Sequence, residues 1–483
     1  EGWPAPRHRH RHVTAALATE LGRIVGPRWV RVRPAELAAY EADGLPTHAS
    51  RPALAVIPGT KPELIAVLRL LHLASVPFVA RGAGTGLSGG ALAGGDAVLV
   101  VLTRLNRILQ LDPARRRAVV EPGVVNARLS EAALPHGLYY APDPSSQSAC
   151  TLGGNVAENA GGPHCLKYGV TTNHVAALEV LLPNAELVRL GSLSGEAWGP
   201  DLVGLFVGSE GMFGIATEIT LRLEPLPAAV RTLLAAFPSI RAASEAVSGI
   251  IAAGIVPAAM EMMDQACVRA VEASIYAAGY PADAAAVLLV EVDGSAEATE
   301  AEAALVESLL LRHRATEVRT ATTAAERARL WQGRKKAFGA MGRISPDLAV
   351  QDAVVPRSTL PDILDRVAAI AAHYRLGVAN VFHAGDGNLH PNISFDGGDP
   401  DQVRRVHAAN HDIMHACLAV GGSITGEHGV GSDKLAYMPD AFDAETLGAM
   451  RAVRRVFDPS ARANPGKVIP YHACREWRRG GAV

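Results

Sequence analysis

Apolar and polar positions in the first part of the chain alternate between strand-like and helix-like spacing. The apolar run at residues 53–57 predicts a buried strand. Thr60 and Glu63 form a capping box ahead of residues 61–74, whose apolar positions have helical spacing. Further strands are predicted at residues 76–81, 97–102, 107–112 and 117–123. These elements together indicate an α+β domain.

The pattern changes around Pro225 and Pro227, which mark a plausible domain boundary. Before it, residues 169–191 alternate in a way that predicts a hairpin turning at Pro183 and Asn184. After it, predicted helices alternate with predicted strands. The helices are at 299–313, 324–340, 360–373 and 400–419, and the strands are at 286–292, 348–355, 377–382 and 392–396. We therefore expect a second, antiparallel α+β domain.

Composition and cysteine spacing disfavour several classes of protein. The 483 residues are 49% hydrophobic and 19% charged, with a formal net charge of -2, which disfavours a disordered chain and a nucleic-acid-binding surface. The five cysteines form no Cys-x-x-Cys pair, so iron–sulfur ligation and secreted disulfides are disfavoured and a reducing cytoplasm fits best. The longest uncharged apolar run, residues 247–260, is shorter than the roughly 18 residues of a membrane span. We expect a small-molecule partner.

The first twelve residues read EGWPAPRHRHRH and have no apolar stretch typical of a signal peptide. His8, His10 and His12 could bind a metal as a His-rich tract, but a frayed tail is the favoured interpretation. Residues 1–47 are therefore predicted to be a tail and a helix, with no function assigned to the tail.

Three glycine-rich stretches lie within about 130 residues of one another. The first, residues 81–92, could form a nest of backbone N–H groups that suits a pyrophosphate, although such clusters also serve ordinary turns. It leads into a strand rather than a helix, which disfavours an NAD-type Rossmann site. The other stretches, at 142–162 and 208–223, favour one long ligand held at several points. FAD has that shape.

The second domain carries two histidines, His383 and His390, on either side of a Gly-Asp-Gly turn. Glu427 and His428 follow later, also among glycines. If the turn folds back, the two imidazoles can converge and Glu427 can complete a divalent-metal site with open positions for a hydroxy acid. The alternative is that each histidine is a satisfied structural residue.

A second histidine pattern, His407, His411 and His415, recurs every four residues on the predicted helix 400–419. It could form a metal-binding face. The glutamate that accompanies such histidines in zincin proteases is missing, however. A solvated helix face is the favoured interpretation.

The glycine-rich stretches resemble a known FAD domain. Arg81-Gly82-Ala83-Gly84-Thr85-Gly86, Pro142-Asp143-Pro144, the run from Thr151 to Asn159 and Gly208-Ser209-Glu210-Gly211 are similar to motifs of the vanillyl-alcohol oxidase superfamily, over about residues 48–227. The resemblance implies FAD with its pyrophosphate on the first loop. We expect the FAD to be noncovalent, with Cys150, His164 and Cys165 as the residues that could attach it instead. The implied cofactor-binding residues are Arg81, Gly82, Gly84, Thr85, Gly86, Ser88, Gly89, Pro144, Thr151, Gly153, Gly154, Asn155, Asn159, Gly211, Ile215 and Asn464.

The second domain, residues 228–483, resembles the C-terminal domain of FAD-linked glycolate, D-lactate and D-2-hydroxyglutarate dehydrogenases. The motifs are His-Ala-Gly-Asp-Gly-Asn-Leu-His at 383–390 and Gly-Glu-His-Gly at 426–429. The resemblance implies that about residues 459–470 return to the FAD domain. It further implies metal ligands and catalytic residues, which are His383, His390 and Glu427 for the metal (Zn, Mn or Fe) and His428, Arg334 and Asn392 for catalysis.

The implied chemistry suits these residue types. A guanidinium grips the substrate carboxylate, a metal lowers the pKa of the substrate hydroxyl, a neutral histidine takes its proton, and hydride leaves for flavin N5. At Phe338 and Val350 the D-2-hydroxyglutarate branch would place a Thr and a Lys for a second carboxylate, and both are absent. Residues 342–347 are most similar to the D-subunit branch of glycolate oxidases. A short monoacid, glycolate or D-lactate, is therefore expected.

Electrons must leave the flavin, and the chain has no cysteine pattern for a cluster of its own. The resemblance implies partners, namely the iron–sulfur and second flavin-type subunits of a glycolate oxidase complex. We expect a cytoplasmic protein and leave peripheral association with the inner membrane open. Two other classes remain as alternatives: a metal hydrolase with a His2Glu site, and a flavin-carrying subunit without an active site of its own.

Overall fold

The computed structural model describes residues 13–45, 47–192 and 199–470. His8, His10, His12 and Cys474 lie outside them. In the described residues the chain packs into two compact units. The first, called the FAD unit below, comprises the described parts of Glu1–Ala160, Val170–Pro225 and Glu427–Val483. The second, called the sheet unit, comprises Gly161–Gly169 and Leu226–Gly426.

The α-helices are, in chain order, α1 Ala15–Val25, α2 Pro34–Leu37, α3 Lys61–Ala74, α4 Asn126–Ala133, α5 Leu152–Glu158, α6 Cys165–Tyr168, α7 Thr171–His174, α8 Leu202–Phe206, α9 Ile240–Ala252, α10 Gln265–Glu272, α11 Ala296–Arg312, α12 Ala324–Lys335, α13 Ala337–Met341, α14 Leu360–His373, α15 Pro400–Ala419, α16 Met438–Ala441 and α17 Ala444–Phe457.

The strands are β1 Val30–Arg31, β2 Leu54–Val56, β3 Phe78–Arg81, β4 Val98–Val101, β5 Ile108–Asp112, β6 Arg117–Val120, β7 Leu138–Tyr139, β8 Val175–Leu181, β9 Leu187–Gly191, β10 Ile215–Arg222, β11 Glu224–Pro225, β12 Ala229–Phe237, β13 Ala259–Asp264, β14 Ala286–Gly294, β15 Glu317–Thr320, β16 Asp347–Val350, β17 Ala353–Val354, β18 Gly377–His383, β19 Asn388–Leu389 and β20 Pro391–Phe395.

The FAD unit contains two main sheets. In one, the strand order is β1-β2-β4-β3, with β2, β4 and β3 parallel. Helix α3 is the crossover between β2 and β3, and its N-cap Thr60 accepts a hydrogen bond from the N–H of Glu63 at 3.3 Å. The other sheet is antiparallel, in the order β5-β6-β10-β8-β9. The predicted hairpin is present, because β8 and β9 pair from Leu181 and Leu187 outward.

The sheet unit is built on one antiparallel sheet with the order β15-β12-β14-β13-β18-β19-β17, to which β20 and β16 add beside β18. Strands β13 and β14 are mostly apolar, with two acidic residues each, and are almost fully buried. Helices α10, α12 and α13 contribute buried side chains, among them Val268, Trp331 and Ala337, to a core against this sheet. The fold is therefore α+β in both units, as the sequence predicts.

Some elements differ from the predicted ones. The predicted helix 324–340 is interrupted at Lys336, and the predicted strand 348–355 is two strands, β16 and β17. The apolar run at 247–260 is the end of α9 followed by the start of β13. Apolar residues flank each break closely, so periodicity alone did not separate these elements.

The unit boundaries also differ from the predicted domains. The sheet unit takes Gly161–Gly169 from within the second glycine-rich stretch. From Glu427 onward the chain packs with the FAD unit, which is earlier than the return expected at about residue 459. Glu427 and His428 therefore belong to the FAD unit, whereas His383 and His390 belong to the sheet unit.

No helix within the described ranges is both long and apolar enough to cross a bilayer.

Candidate active site and cofactor loops

The first glycine-rich loop follows β3 directly. Gly84 has a φ of +71°, and a Cβ placed there would lie 2.2 Å from the Arg81 guanidinium. A Cβ on Gly82 would lie 2.1 Å from Oγ1 of Thr151, the N-cap of α5. Only glycine fits both positions without displacing these side chains. The loop is thus packed tightly against the side chains of Arg81 and Thr151.

The same loop has backbone N–H groups that are not used in hydrogen bonds within the described chain. From Gly82 to Leu87, no backbone N–H donates a hydrogen bond to another described residue. Unused N–H groups on a glycine-rich turn form the kind of nest that binds a phosphate. The loop therefore offers several backbone donors to an anionic group.

The Arg81 side chain makes hydrogen bonds to the backbone of residues 40–42. Its guanidinium donates to the carbonyl oxygen of Ala42 at 2.7 Å and also contacts that of Tyr40. Burial lowers the pKa of this guanidinium. Arg81 therefore ties the 40–42 segment to the glycine loop.

Residues near the end of the described chain contact the same loop at Gly89 and Gly90. Asn464 donates to the carbonyl oxygens of Gly90 and Glu210, at 2.9 and 2.5 Å, and Lys467 donates to that of Gly89 at 2.7 Å. Asn464 and Gly211 both have positive φ values, of 42° and 73°. Of the other residues expected to bind the cofactor, Ser88, Thr151, Asn155 and Ile215 are buried in this unit.

Two buried carboxylates, Glu158 and Glu210, lie beside this region. Glu210 accepts hydrogen bonds from the N–H groups of Val430 and Gly431, both at 2.7 Å. Burial raises the pKa of Glu210 to about 7. Burial, followed by repulsion from Glu210, raises the pKa of Glu158 well above its usual value. Both residues lie within the glycine-rich motifs, and no role for either is predicted from the sequence.

In the sheet unit, the two histidines of the Gly-Asp-Gly turn come together. His383 ends β18 and pairs with Asn388 of β19, so the turn between them is tight. Gly387 at that turn has a φ of +81°. The imidazole centroids of His383 and His390 are 5.2 Å apart, with the rings nearly perpendicular. A possible metal-binding atom of one lies within 4.8 Å of one on the other.

Each imidazole is oriented through its Nδ1. Nδ1 of His383 is 2.8 Å from Oε1 of Glu261, and Nδ1 of His390 is 3.1 Å from the carbonyl oxygen of Gln351. Both acceptors require Nδ1 to carry the proton. Nε2 is then the nitrogen through which each ring can bind a metal, an arrangement typical of metal-binding histidines.

Arg334 joins the same group. It lies on α12, is 5% exposed, and its Nη2 is 2.5 Å from Oε2 of Glu261. Its Nε is buried and donates no hydrogen bond to any described residue. Glu261 thus contacts both Arg334 and His383, while part of the guanidinium can still serve a ligand.

Asn392 and Asp352 fix the neighbouring backbone. The amide nitrogen of Asn392 donates to the carbonyl oxygens of His390 and Ala379, at 2.7 and 3.2 Å, and its Oδ1 is buried without a donor in the described part of the chain. Asp352 is fully buried and accepts from Thr425 Oγ1 and from the N–H of Gly426, at 2.6 and 3.0 Å. Glu427 is the next residue along the chain.

A second carboxylate, Glu291, lies on the same sheet. It accepts from Nε1 of Trp331 at 2.6 Å, and its other oxygen is 3.3 Å from Nε2 of His164. Sequence reasoning missed Glu261 and Glu291. The available signal was a charged residue in the middle of a strand that is otherwise apolar, because a buried charge requires partners.

The three histidines that recur every four residues, His407, His411 and His415, all lie on α15. On α15, Nε2 of His411 is 3.1 Å from Nε2 of His415, and His407 and His411 are exposed.

Comparison with known proteins identifies the family. Residues 52–191 match the model of an FAD binding domain, and residues 226–468 match the model of the FAD linked oxidases, C-terminal domain. The chain belongs to the FAD-linked oxidase family. It is accordingly an FAD-dependent oxidoreductase.

The relatives cover nearly the whole chain. It is 49% identical over 443 residues to the glycolate oxidase subunit GlcD of Escherichia coli, covering 92% of this chain and 89% of that protein. It is 30% identical to the mitochondrial D-lactate dehydrogenase (cytochrome) of Arabidopsis thaliana, covering 88% and 74%. Among solved structures, p-cresol methylhydroxylase matches with a TM-score of 0.80 at 17% identity, covering 94% and 97%. This last likeness shows the fold.

Proposed function

We propose that this FAD-linked oxidoreductase oxidises a short 2-hydroxy monoacid, glycolate or D-lactate, to the 2-oxo acid. The observation that carries the proposal is the contact of Glu261 with both Arg334 and His383. Through this contact, Glu261 holds both a guanidinium, which can bind a carboxylate, and an imidazole, which can bind a metal. The relatives named for glycolate and D-lactate support the same substrate class.

Arg334 is proposed to bind the substrate carboxylate. A buried guanidinium is a strong partner for a carboxylate because it can donate two parallel hydrogen bonds. The Nε of Arg334 is buried and has no acceptor among the described residues, which suits this role. Asn392 is proposed to accept from the substrate hydroxyl, because its Oδ1 is buried and its amide nitrogen already donates to two carbonyl oxygens.

A divalent metal is proposed at His383, His390 and Glu427, with Zn, Mn or Fe as candidates. The two imidazoles fit this role, since they converge and both are oriented through Nδ1. The hydrogen bond from Gly426 to Asp352 fixes the residue that precedes Glu427. Such a metal would act as a Lewis acid on the substrate hydroxyl. His428 is proposed to take the hydroxyl proton.

FAD is proposed to bind noncovalently, with the loop after β3 at its pyrophosphate. Unused N–H groups from Gly82 to Leu87 support this placement. Burial raises the pKa of the Cys150 thiol, which makes it a poor nucleophile for attachment to a flavin. His164 contacts Glu291 in the sheet unit. When bound, FAD supplies the acceptor for the hydride equivalent that leaves the substrate.

The preference for a monoacid has two supports. Val350 pairs across the sheet with Asn392, so the residue facing the proposed hydroxyl-binding asparagine is apolar. Phe338, one turn beyond Arg334, is 43% exposed and also apolar. Neither offers a positive charge for a second carboxylate.

The proposed partners are the iron–sulfur and second flavin-type subunits of a glycolate oxidase complex, which would carry electrons onward. One relative is itself named as a subunit of glycolate oxidase. We propose a cytoplasmic protein that associates peripherally with the inner membrane through this complex.

The test is turnover of the purified, FAD-loaded chain with an artificial dye as electron acceptor. Glycolate, D-lactate, L-lactate and D-2-hydroxyglutarate are compared, and the 2-oxo acid products are quantified. Glyoxylate or pyruvate from glycolate or D-lactate is expected. Turnover of D-2-hydroxyglutarate at a higher kcat/KM would favour the related diacid dehydrogenase instead, and no product from any acid would refute the proposal.

A further inference from the structure

We propose that Glu261 is a positioning residue that sets the tautomer of His383 and the direction of Arg334 together, so that metal binding and substrate binding depend on one side chain. This inference rests on the proposed function above. It concerns a residue that lies inside an apolar strand and outside every glycine-rich motif.

The contact follows from strand pairing. Strands β13 and β18 are antiparallel neighbours, and Glu261 is directly opposite His383 in their register. Side chains of directly opposed residues point to the same face of a sheet and lie close together. Nδ1 of His383 is accordingly 2.8 Å from Oε1 of Glu261. The backbone holds this pair in place, independently of any loop.

Helix α12 supplies the other partner from the same side of the sheet. Arg334 reaches Oε2 of Glu261 at 2.5 Å, and the side chains of Arg334 and Glu261 are 6% and 0% exposed. A buried carboxylate needs paired charge and hydrogen bonds to offset its lost hydration. Oε1 of Glu261 thus forms the hydrogen bond with Nδ1 of His383, and Oε2 forms an ion pair with Arg334 that lacks the alignment of a hydrogen bond.

The chemistry of the two partners requires a carboxylate. Arg334 can only donate, and His383 must donate from Nδ1 if Nε2 is to bind a metal. A carboxylate offers two acceptor oxygens, whereas an amide offers one oxygen and one NH2 group. In a Glu261→Gln variant the amide oxygen would turn to Arg334 and the NH2 group would face Nδ1 of His383. That favours the tautomer with the proton on Nε2, which cannot bind the metal.

Glu291 provides a matched control. It is also a buried carboxylate on this sheet, and it also contacts α12, through Trp331 at 2.6 Å. Among the described residues it forms no hydrogen bond or ion pair with His383 or Arg334, and its partners are His164, Thr232 and Trp331. Glu291→Gln therefore changes a buried charge on the same sheet without changing the proposed ligand.

The experiment measures Zn²⁺ and Mn²⁺ affinity by titration into the chelator-treated, FAD-loaded full chain, followed by flavin reduction with glycolate or D-lactate. For Glu261→Gln we expect metal affinity to fall by about 10- to 100-fold, the usual effect of losing an outer partner of a metal-binding histidine. Saturating metal should restore much of kcat, while KM for the acid stays raised because Arg334 has lost its ion pair. Glu291→Gln should bind both metals within about twofold of the original chain.

Other outcomes separate the claims. If the original chain binds metal and reduces its flavin, and Glu261→Gln binds metal equally well, the inference about Glu261 is overturned and the proposed function stands. If the original chain binds neither metal but still reduces its flavin with the acid, the inference about Glu261 is overturned and the oxidation of the acid stands. If it binds neither metal and does not reduce its flavin, both are overturned. Should Glu261→Gln not fold, Glu261→Asp keeps both oxygens but withdraws them by one methylene, and unchanged metal affinity in that variant would equally overturn the inference.

Discussion

Nδ1 of His390 lies 3.1 Å from the main-chain carbonyl oxygen of Gln351. The carbonyl can only accept, so His390 donates from Nδ1 and presents Nε2 as its metal-binding nitrogen. Gln351 in turn donates its N–H to the carbonyl oxygen of Pro391, at 3.0 Å. This histidine is thus oriented by a main-chain carbonyl group whose residue is itself hydrogen-bonded to β20.

The first prediction concerns His390. His390→Ala should remove a proposed metal ligand and lower the rate of flavin reduction by at least about 100-fold, more than the loss of an outer partner would. Metal content by atomic emission and anaerobic flavin reduction measure the two effects. His411→Ala, which removes an exposed histidine of α15, should change neither. A His390→Ala protein with full metal content would contradict the ligand assignment.

The second prediction concerns Arg334. Arg334→Lys should raise KM for the hydroxy acid by about 10- to 100-fold, because an ammonium cannot reproduce two parallel hydrogen bonds from a planar guanidinium. Arg329→Lys is the control, since Arg329 lies on the same helix and is exposed. Steady-state kinetics with a dye acceptor give kcat and KM separately. An unchanged KM in Arg334→Lys would exclude Arg334 as the carboxylate-binding residue.

The third prediction concerns the cofactor loop. At Gly84, alanine must adopt a φ of +71° and place its Cβ 2.2 Å from the Arg81 guanidinium. The backbone strain alone costs about 1–2 kcal/mol, so Gly84→Ala should bind less FAD and unfold at a lower temperature. The ratio of absorbance at 450 nm to that at 280 nm reports FAD content.

Gly339→Ala is the control for that variant. A Cβ on Gly339 meets no atom within 4 Å, and the residue lies within α13. FAD content and melting temperature should therefore stay close to those of the original chain. If Gly84→Ala retained as much FAD as Gly339→Ala, the loop after β3 would not be the cradle proposed here.

The fourth prediction concerns pH. Glu158 and Glu210 both have raised pKa values, chiefly through burial, and that of Glu210 is about 7. An acid with a higher pKa in the folded than in the unfolded protein binds more protons when folded. Its contribution to stability is therefore fully present below about pH 4.5 and is lost as pH rises through about 7.

Glu158→Gln should reduce this loss of stability at high pH. Oε2 of Glu158 is buried and accepts no hydrogen bond from a described residue, so an amide loses little there and removes the repulsion with Glu210. The variant should melt at a higher temperature than the original chain at pH 8, with a smaller difference at pH 5. Glu307→Gln, an exposed change on α11, should show no such trend. Equal differences in melting temperature at both pH values would contradict the raised pKa values of Glu158 and Glu210.

Sequence reasoning located the parts of the site that are local in the chain. His383 and His390 are seven positions apart around a glycine turn, so their convergence could be predicted from spacing. The strand–helix–strand unit leading into the glycine loop could be predicted because Thr60 and the apolar spacing agree.

Glu261 could not be found in this way. It is 122 residues from His383 along the chain, and the two meet only because β13 pairs with β18. Short apolar strands do not specify which neighbour they pair with, since such runs differ little in pattern. For the same reason the packing of Gly161–Gly169 with the sheet unit was not predicted.

The central claim is that the chain oxidises a short hydroxy monoacid with its own flavin. Rapid anaerobic mixing of the FAD-loaded chain with glycolate, D-lactate, L-lactate or D-2-hydroxyglutarate, followed at 450 nm, tests it most directly. Glycolate or D-lactate should bleach the flavin within one turnover and fastest among the four acids. Persistent absorbance with both glycolate and D-lactate, in protein shown to contain FAD and metal, would contradict the claim.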